Sequence, residues 1–219
     1  MQIELPSGTQ AELAVPPASA LRGLVIAPDV GGLRPLFTDL VERLSRENTW
    51  AVCAVEPYPG QGDLGLEARL AGPLDHARLA ADLRSAADEL TTRADVERVA
   101  VLGFCMGGML AYRAAGTGRF DRAVSFYGMI RPPAQWSEPG NDPLDALASP
   151  DACPTLAICG GQDRWTPAGD IQALRSLSSS VTVHEYPDAD HGFVHDPSRP
   201  AHRPHDAADA WRWAVDFLA

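Results

Sequence analysis

The sequence predicts an α/β fold: one mostly parallel sheet with helices on both faces. Three observations carry this. Short apolar, β-branched runs recur along the chain, at residues 21–28, 50–55, 96–103, 123–127, 154–159 and 181–186. Several are apolar at nearly every position instead of alternating, as expected of parallel strands covered on both sides. Longer segments with helical periodicity separate them.

At the N-terminus, residues 2–5 and 10–15, joined at Ser7-Gly8, read as an antiparallel hairpin on the sheet edge, giving about eight strands in all. Residues 36–46 place Leu36, Leu40, Val41 and Leu44 on one helical face. Residues 74–92 do the same with Leu79, Leu83, Ala86, Ala87 and Leu90, and residues 205–218 with Ala208, Trp211, Val215 and Leu218. Strands alternating with helices imply right-handed parallel crossovers. The Pro, Gly and Asp-rich stretch 131–154 has little periodicity and reads as a long loop. No repeat or linker divides the chain, so residues 1–219 are expected to form a single domain.

Composition narrows the possible partners. The chain has 219 residues, 45% of them hydrophobic and 21% charged, and a net charge of −11. Nucleic acid and anionic membrane surfaces call for a basic face and are not expected partners. The N-terminus lacks the pattern of a signal peptide, and no stretch approaches the ~18 apolar residues of a membrane span. A cytoplasmic protein is expected. Cys53, Cys105, Cys153 and Cys159 have neither disulfide-framework nor zinc-site spacing. Cys153 and Cys159 flank a strand that would hold them roughly 20 Å apart. Cys53 and Cys159 sit in apolar runs and read as core residues.

Cys105 differs. Val99-Ala-Val-Leu-Gly103-Phe104-Cys105-Met106-Gly107-Gly108 reads as strand, tight turn, helix. Gly-x-Cys-x-Gly is a nucleophile elbow with Cys in place of Ser. Small residues two positions either side let strand and helix approach around a strained nucleophile. The sulfur would stand at a helix N-terminus, which favours a thiolate, and the Met106 N–H would be free to meet an oxyanion. The competing reading is a phosphate-binding turn, but the Gly-x-Gly-x-x-Gly spacing is absent and the turn lies mid-chain.

An elbow of this kind needs an acid and then a base later in the chain. Asp163 follows one strand in Gly160-Gly161-Gln162-Asp163, and Thr166-Pro167 beyond it reads as the N-cap and first residue of a helix. His191 follows the next strand in Asp190-His191-Gly192-Phe193. Both fall in loops at the carboxyl edge of the sheet. Alone, a loop Asp is usually a turn residue and a loop His a solvated one. Three elements in the right order on the right strand ends point to a triad, with His191 accepting the thiol proton and Asp163 orienting the ring. His191, His195, His202 and His205 cluster, but Gly192 and Pro197 break any helical His-x-x-x-His register, so no metal is expected.

With these residues assembled, the sequence resembles the dienelactone hydrolase (carboxymethylenebutenolidase) family over nearly its whole length. The specific points are Gly103-Phe-Cys-Met-Gly-Gly, Ser125-Phe-Tyr127-Gly, Gly160-Gly-Gln-Asp163 and Asp190-His191-Gly-Phe. The resemblance implies an α/β-hydrolase fold without a large lid, no cofactor, and acyl transfer to Cys followed by hydrolysis of a small-molecule ester or lactone. It implies an oxyanion hole from the N–H groups of Met106 and Val30, with Asp29 placed to interact with the resting thiol. Tyr127 falls in the expected pocket or just behind it. The family's best-known members bind an anionic lactone through two arginines. One of those positions is His195 here, and Arg69 lies near the other. His195 is a poor substitute for a bidentate arginine, so a neutral substrate is expected. A general carboxylesterase or thioesterase is the alternative enzyme, and a ligand-binding pseudo-hydrolase the alternative class. The chain would act as a monomer or small homo-oligomer.

Overall fold

The strongest fold signal in the sequence, the run of fully apolar strands, becomes the centre of one eight-stranded sheet. The structure is a computed structural model that describes residues 1–177 and 180–219. The strands are β1 (Gln2–Glu4), β2 (Gln10–Ala14), β3 (Gly23–Ala27), β4 (Ala51–Val55), β5 (Val99–Phe104), β6 (Ala123–Phe126), β7 (Thr155–Gly160) and β8 (Val181–Tyr186). Their spatial order is β1-β2-β4-β3-β5-β6-β7-β8. The β1–β2 and β2–β4 pairings are antiparallel and the rest parallel. Strands β3 to β7 are buried at every position, which is why they lack alternation.

The helices are α1 (Pro35–Asn48), α2 (Leu66–Ala71), α3 (His76–Ala94), α4 (Met106–Ala115), α5 (Pro143–Leu147), α6 (Ala168–Arg175) and α7 (Pro204–Leu218). From β3 the chain moves one way through α1 to β4. It then returns past β3 through α3 to β5. Crossovers of one hand in opposite directions leave α1 and α3 on opposite faces of the sheet. The loops after β3 and β5 therefore part from each other and open a crevice at the carboxyl edge, the usual ligand position in such sheets.

The structure differs from the sequence expectations at four points. Helix α2 lies outside the sequence expectations, since its six residues bury no side chain fully and Leu66 and Leu70 are too short an apolar stripe to mark it. The stretch 131–154 is not all loop: it holds a 3-10 turn at Ala134–Trp136 and helix α5. Helix α3 starts two residues later than expected because Asp75 caps it, accepting from the Arg78 N–H at 3.0 Å. Pro167, not Thr166, is the N-cap of α6. The Thr166 N–H instead donates to the Asp163 carbonyl at 3.1 Å, so Thr166 belongs to the preceding turn.

The elbow glycines are contact positions. A Cβ on Gly103 would overlap the Gly107 carbonyl, and one on Gly107 would overlap the Ala27 carbonyl on β3. One on Gly108 would lie 2.7 Å from the Gly128 Cα and Ser125 Oγ. Backbone cannot yield as a side chain can. Gly107→Ala should therefore cost about 3 kcal/mol or more, lowering Tm by roughly 6–12 °C. Gly169→Ala, in α6 with no atom within 4 Å of the added methyl, should be neutral or stabilising by up to about 1 kcal/mol. Thermal unfolding of the two variants side by side checks the contrast.

Candidate active site

Cys105 lies between β5 and α4 with φ 57° and ψ −118°, a left-handed conformation unfavourable for a side chain other than glycine. Its N–H donates to the Phe126 carbonyl at 3.0 Å, pinning the turn to β6. The thiol residue is 8% exposed, less open than the sequence implied, and it lines a cavity of about 550 Å³ at the crevice. Met106 opens α4, so its N–H lacks an intrahelical acceptor. Among the described residues, neither the Met106 nor the Val30 N–H has a hydrogen-bond partner.

Asp163 and His191 meet at the same place. The His191 Nδ1 is 2.7 Å from the Asp163 Oδ2. The other carboxylate oxygen accepts the Trp165 N–H at 2.8 Å, so the acid is fixed at both ends. Asp163 is buried and the His191 side chain only 13% exposed. Burial disfavours a charged imidazole, but Asp163 and the neighbouring Cys105 thiol outweigh it and raise the His191 pKa to about 10. The ring also stands edge-on to Tyr127, with centroids 5.2 Å apart.

Arg69 and His195, expected at the substrate, sit elsewhere, and Tyr127 lies behind the pocket. Arg69 donates to the Gly31 carbonyl at 2.9 Å and stacks over Tyr58, so it braces the loop after β3 instead of facing the cavity. His195 lies beneath the pocket floor. Its Nε2 is 2.8 Å from the Asp29 Oδ2, its Nδ1 meets the Tyr127 hydroxyl, and its ring stacks on Phe104 at 4.7 Å. Tyr127 is fully buried behind His191. Asp29 does border the cavity, but its carboxylate is already engaged. Oδ1 accepts from the Gly31 N–H at 2.8 Å and Arg34 Nη1 at 2.6 Å, and Oδ2 from Arg34 Nη2 at 2.8 Å as well as His195. Burial would raise its pKa, yet the His195 and Arg34 bonds hold it well below the usual carboxylate range. No hydrogen bond joins it to Cys105 among the described residues.

The cavity walls contain residues the sequence reading passed over. Leu66 and Leu70 of α2, Met129, Trp136 and Trp165 give it an apolar side. Arg34, Arg164 and Arg199 are its cations. Arg34 is paired with Asp29. Arg199 has no ion pair among the described residues and packs so closely on Gly192 that a Cβ there would overlap its guanidinium. Arg164 stacks over the Trp165 ring at 5.1 Å. Position alone could have found Arg34 and Arg164, which follow Asp29 and Asp163 in loops at the sheet's carboxyl edge. Nothing in the sequence marks Arg199.

The sequence profile of the dienelactone hydrolase family matches residues 9–219. A Salmonella typhimurium protein named "Putative carboxymethylenebutenolidase" is 29% identical over 213 residues, covering 91% of this chain and 77% of its own. The solved structure titled "Putative Dienelactone Hydrolase" from Klebsiella pneumoniae superposes with a TM-score of 0.83 at 22% identity, covering 100% of this chain and 97% of that one. The dienelactone hydrolase-like promiscuous phosphotriesterase P91, from metagenomic libraries, gives 0.78 at 19%, covering 100% and 96%. At those identities the two superpositions speak to the fold alone.

The four thiols should differ sharply in reactivity. Burial pushes the Cys53 and Cys159 pKa values up to about 12 and that of Cys153 to about 11, suppressing their thiolates. Cys105 alone borders the cavity beside a histidine. With limiting iodoacetamide at pH 8, peptide mapping should find the adduct on Cys105 first. Preferential labelling of any of the other three contradicts this assignment.

Proposed function

This chain belongs to the dienelactone hydrolase family and is a hydrolase of that type, and we propose that it cleaves an ester or lactone through a thioacyl intermediate on Cys105. The observation that carries this reading is the meeting of Cys105 with the Asp163–His191 pair at the floor of one cavity.

His191 donates Nδ1–H to Asp163, which leaves Nε2 to exchange a proton with Cys105. The sulfur attacks the carbonyl carbon, forming the S–C bond while the carbonyl π pair moves onto oxygen. The N–H groups of Met106 and Val30 receive that oxyanion. Collapse re-forms the carbonyl and expels the alkoxide, which takes the proton from His191 Nε2. A water then gives its proton to His191 and attacks the thioester carbon, and the C–S bond breaks to release the acid and restore the thiol. The carboxylate at Asp163 supports the positive charge that the ring carries in both halves.

The expectation of a neutral substrate rested on His195 at the pocket wall. Among the described residues Arg199 lines the cavity without an acid partner, and it offers the cation that the expectation took to be missing. A carboxylate on the substrate would meet Arg199, with Arg164 beside it.

Turnover of an aryl ester should vanish with Cys105→Ala and fall about 10²–10⁴-fold with Asp163→Asn or His191→Gln. Retention within tenfold, about 1.4 kcal/mol, by any of the three overturns the triad. Arg199→Gln should reduce kcat/KM for a carboxylate-bearing lactone by about tenfold or more while sparing its methyl ester. Equal effects on the two substrates would remove Arg199 from carboxylate recognition.

A further inference from the structure

Two Asp–His pairs lie within this small site, and only one belongs to the triad. The second, Asp29–His195, is more deeply buried: the His195 side chain is 2% exposed. Its protonation follows from its neighbours. Burial lowers the His195 pKa despite the carboxylate beside it, so the ring is neutral and carries one N–H. A carboxylate only accepts, so that hydrogen is on Nε2, facing Asp29. Nδ1 then accepts from the Tyr127 hydroxyl. Phe104, stacked at 4.7 Å, and Phe37, at 5.9 Å, fix the plane of the ring.

Each end of this chain of bonds is tied to a different part of the reaction. At one end, Asp29 accepts the Gly31 N–H and so fixes the Val30–Gly31 peptide. The Val30 N–H is one peptide away and is the oxyanion donor not supplied by α4. At the other end, Tyr127 is held with φ 42° by its own N–H, which donates to the Ile158 carbonyl at 2.7 Å. Its ring braces His191 edge-on. Such a bonded path fixes the distance between the loop that receives the oxyanion and the loop that carries the base.

We propose that His195 is a positioning residue which, through Asp29 and Tyr127, holds the Val30 N–H in place for the oxyanion. This rests on the thioacyl reading above. Among the described residues, no hydrogen bond joins the chain Tyr127–His195–Asp29–Gly31 to the Cys105 thiol, and His195 and Tyr127 lie outside the cavity lining. Loosening that chain should therefore weaken oxyanion capture and leave the nucleophile itself intact.

Two probes separate those effects on the full-length protein. Iodoacetamide alkylates a thiolate by displacing iodide and generates no oxyanion. An aryl trifluoromethyl ketone adds the Cys105 sulfur at its carbonyl carbon, and the carbonyl π pair moves to an oxygen that must occupy the hole. Tyr127→Phe removes one hydroxyl and keeps the ring against His191. His195→Gln removes the bridge itself. For Tyr127→Phe, kcat on a phenyl ester should fall about tenfold with KM within about twofold, and more for His195→Gln. The ketone Ki should rise by a similar factor, with the iodoacetamide rate at Cys105 within about twofold of the parent. If His195→Gln does not fold, Tyr127→Phe alone decides. Unchanged kcat and Ki in Tyr127→Phe, or a loss of alkylation matching the loss of kcat, overturns the proposal. The reading it rests on is checked separately with Cys105→Ala. If that variant still hydrolyses the ester, both fail; if it is inactive while Tyr127→Phe behaves as the parent, only the positioning role fails.

Discussion

The site depends on one backbone constraint, the strained turn at Cys105. A side chain held at φ 57° is costly and persists only where its surroundings leave no alternative. Here three glycines let α4 close onto β5, β3 and the turn after β6 at distances no Cβ would permit. The Cys105 N–H is anchored to β6. The same closeness brings the start of α4 against the end of β3, beside the loop in which Val30 borders the cavity. Moving α4 outward to relieve the turn would disperse the proposed nucleophile and both proposed donors together.

Around that turn the protein places two histidines in opposite electrostatic states. Both lose hydration, and both gain an aspartate. His191 faces Asp163 and the Cys105 thiol, and its pKa is raised to about 10. His195 has Asp29, but Arg34 already neutralises that carboxylate, and Arg34 and Arg199 both oppose a further positive charge. Its pKa is lowered. At His195 burial is the largest cause and outweighs the support from Asp29, with Arg34 and Arg199 adding to it; at His191 Asp163 and the thiol outweigh burial. An aspartate whose other bonds are to neutral N–H groups supports an imidazolium. One already paired with a guanidinium supports it too, but here not enough to offset burial.

How far this was legible in the sequence follows from the range of each interaction. The strands, the elbow, and the order Cys105, Asp163, His191 are written in local patterns: apolar runs, flanking glycines, loops following strands. The first turn of α3 is decided by a single side-chain cap, and α2 is too short, with only Leu66 and Leu70 on its apolar side, to show a period. The partners of Asp29, His195 and Arg69 are out of reach of the sequence for a different reason. Whether a charged side chain faces substrate or protein depends on residues distant in sequence: His195 and Asp29 are 166 positions apart, and Arg69 and Gly31 38. Periodicity carries no record of such pairs.

The central claim is that the acyl group passes through Cys105. The direct measurement is to quench the enzyme with acid during turnover of a slow aryl ester, digest it, and map the added acyl mass, since a thioester survives acid. The account predicts the acyl group on the peptide containing Cys105, formed with the first equivalent of released phenol and lost as acid product appears. A phenol burst with the acyl group on another residue, or steady turnover with no acylated species in a variant chosen to slow its hydrolysis, would contradict it.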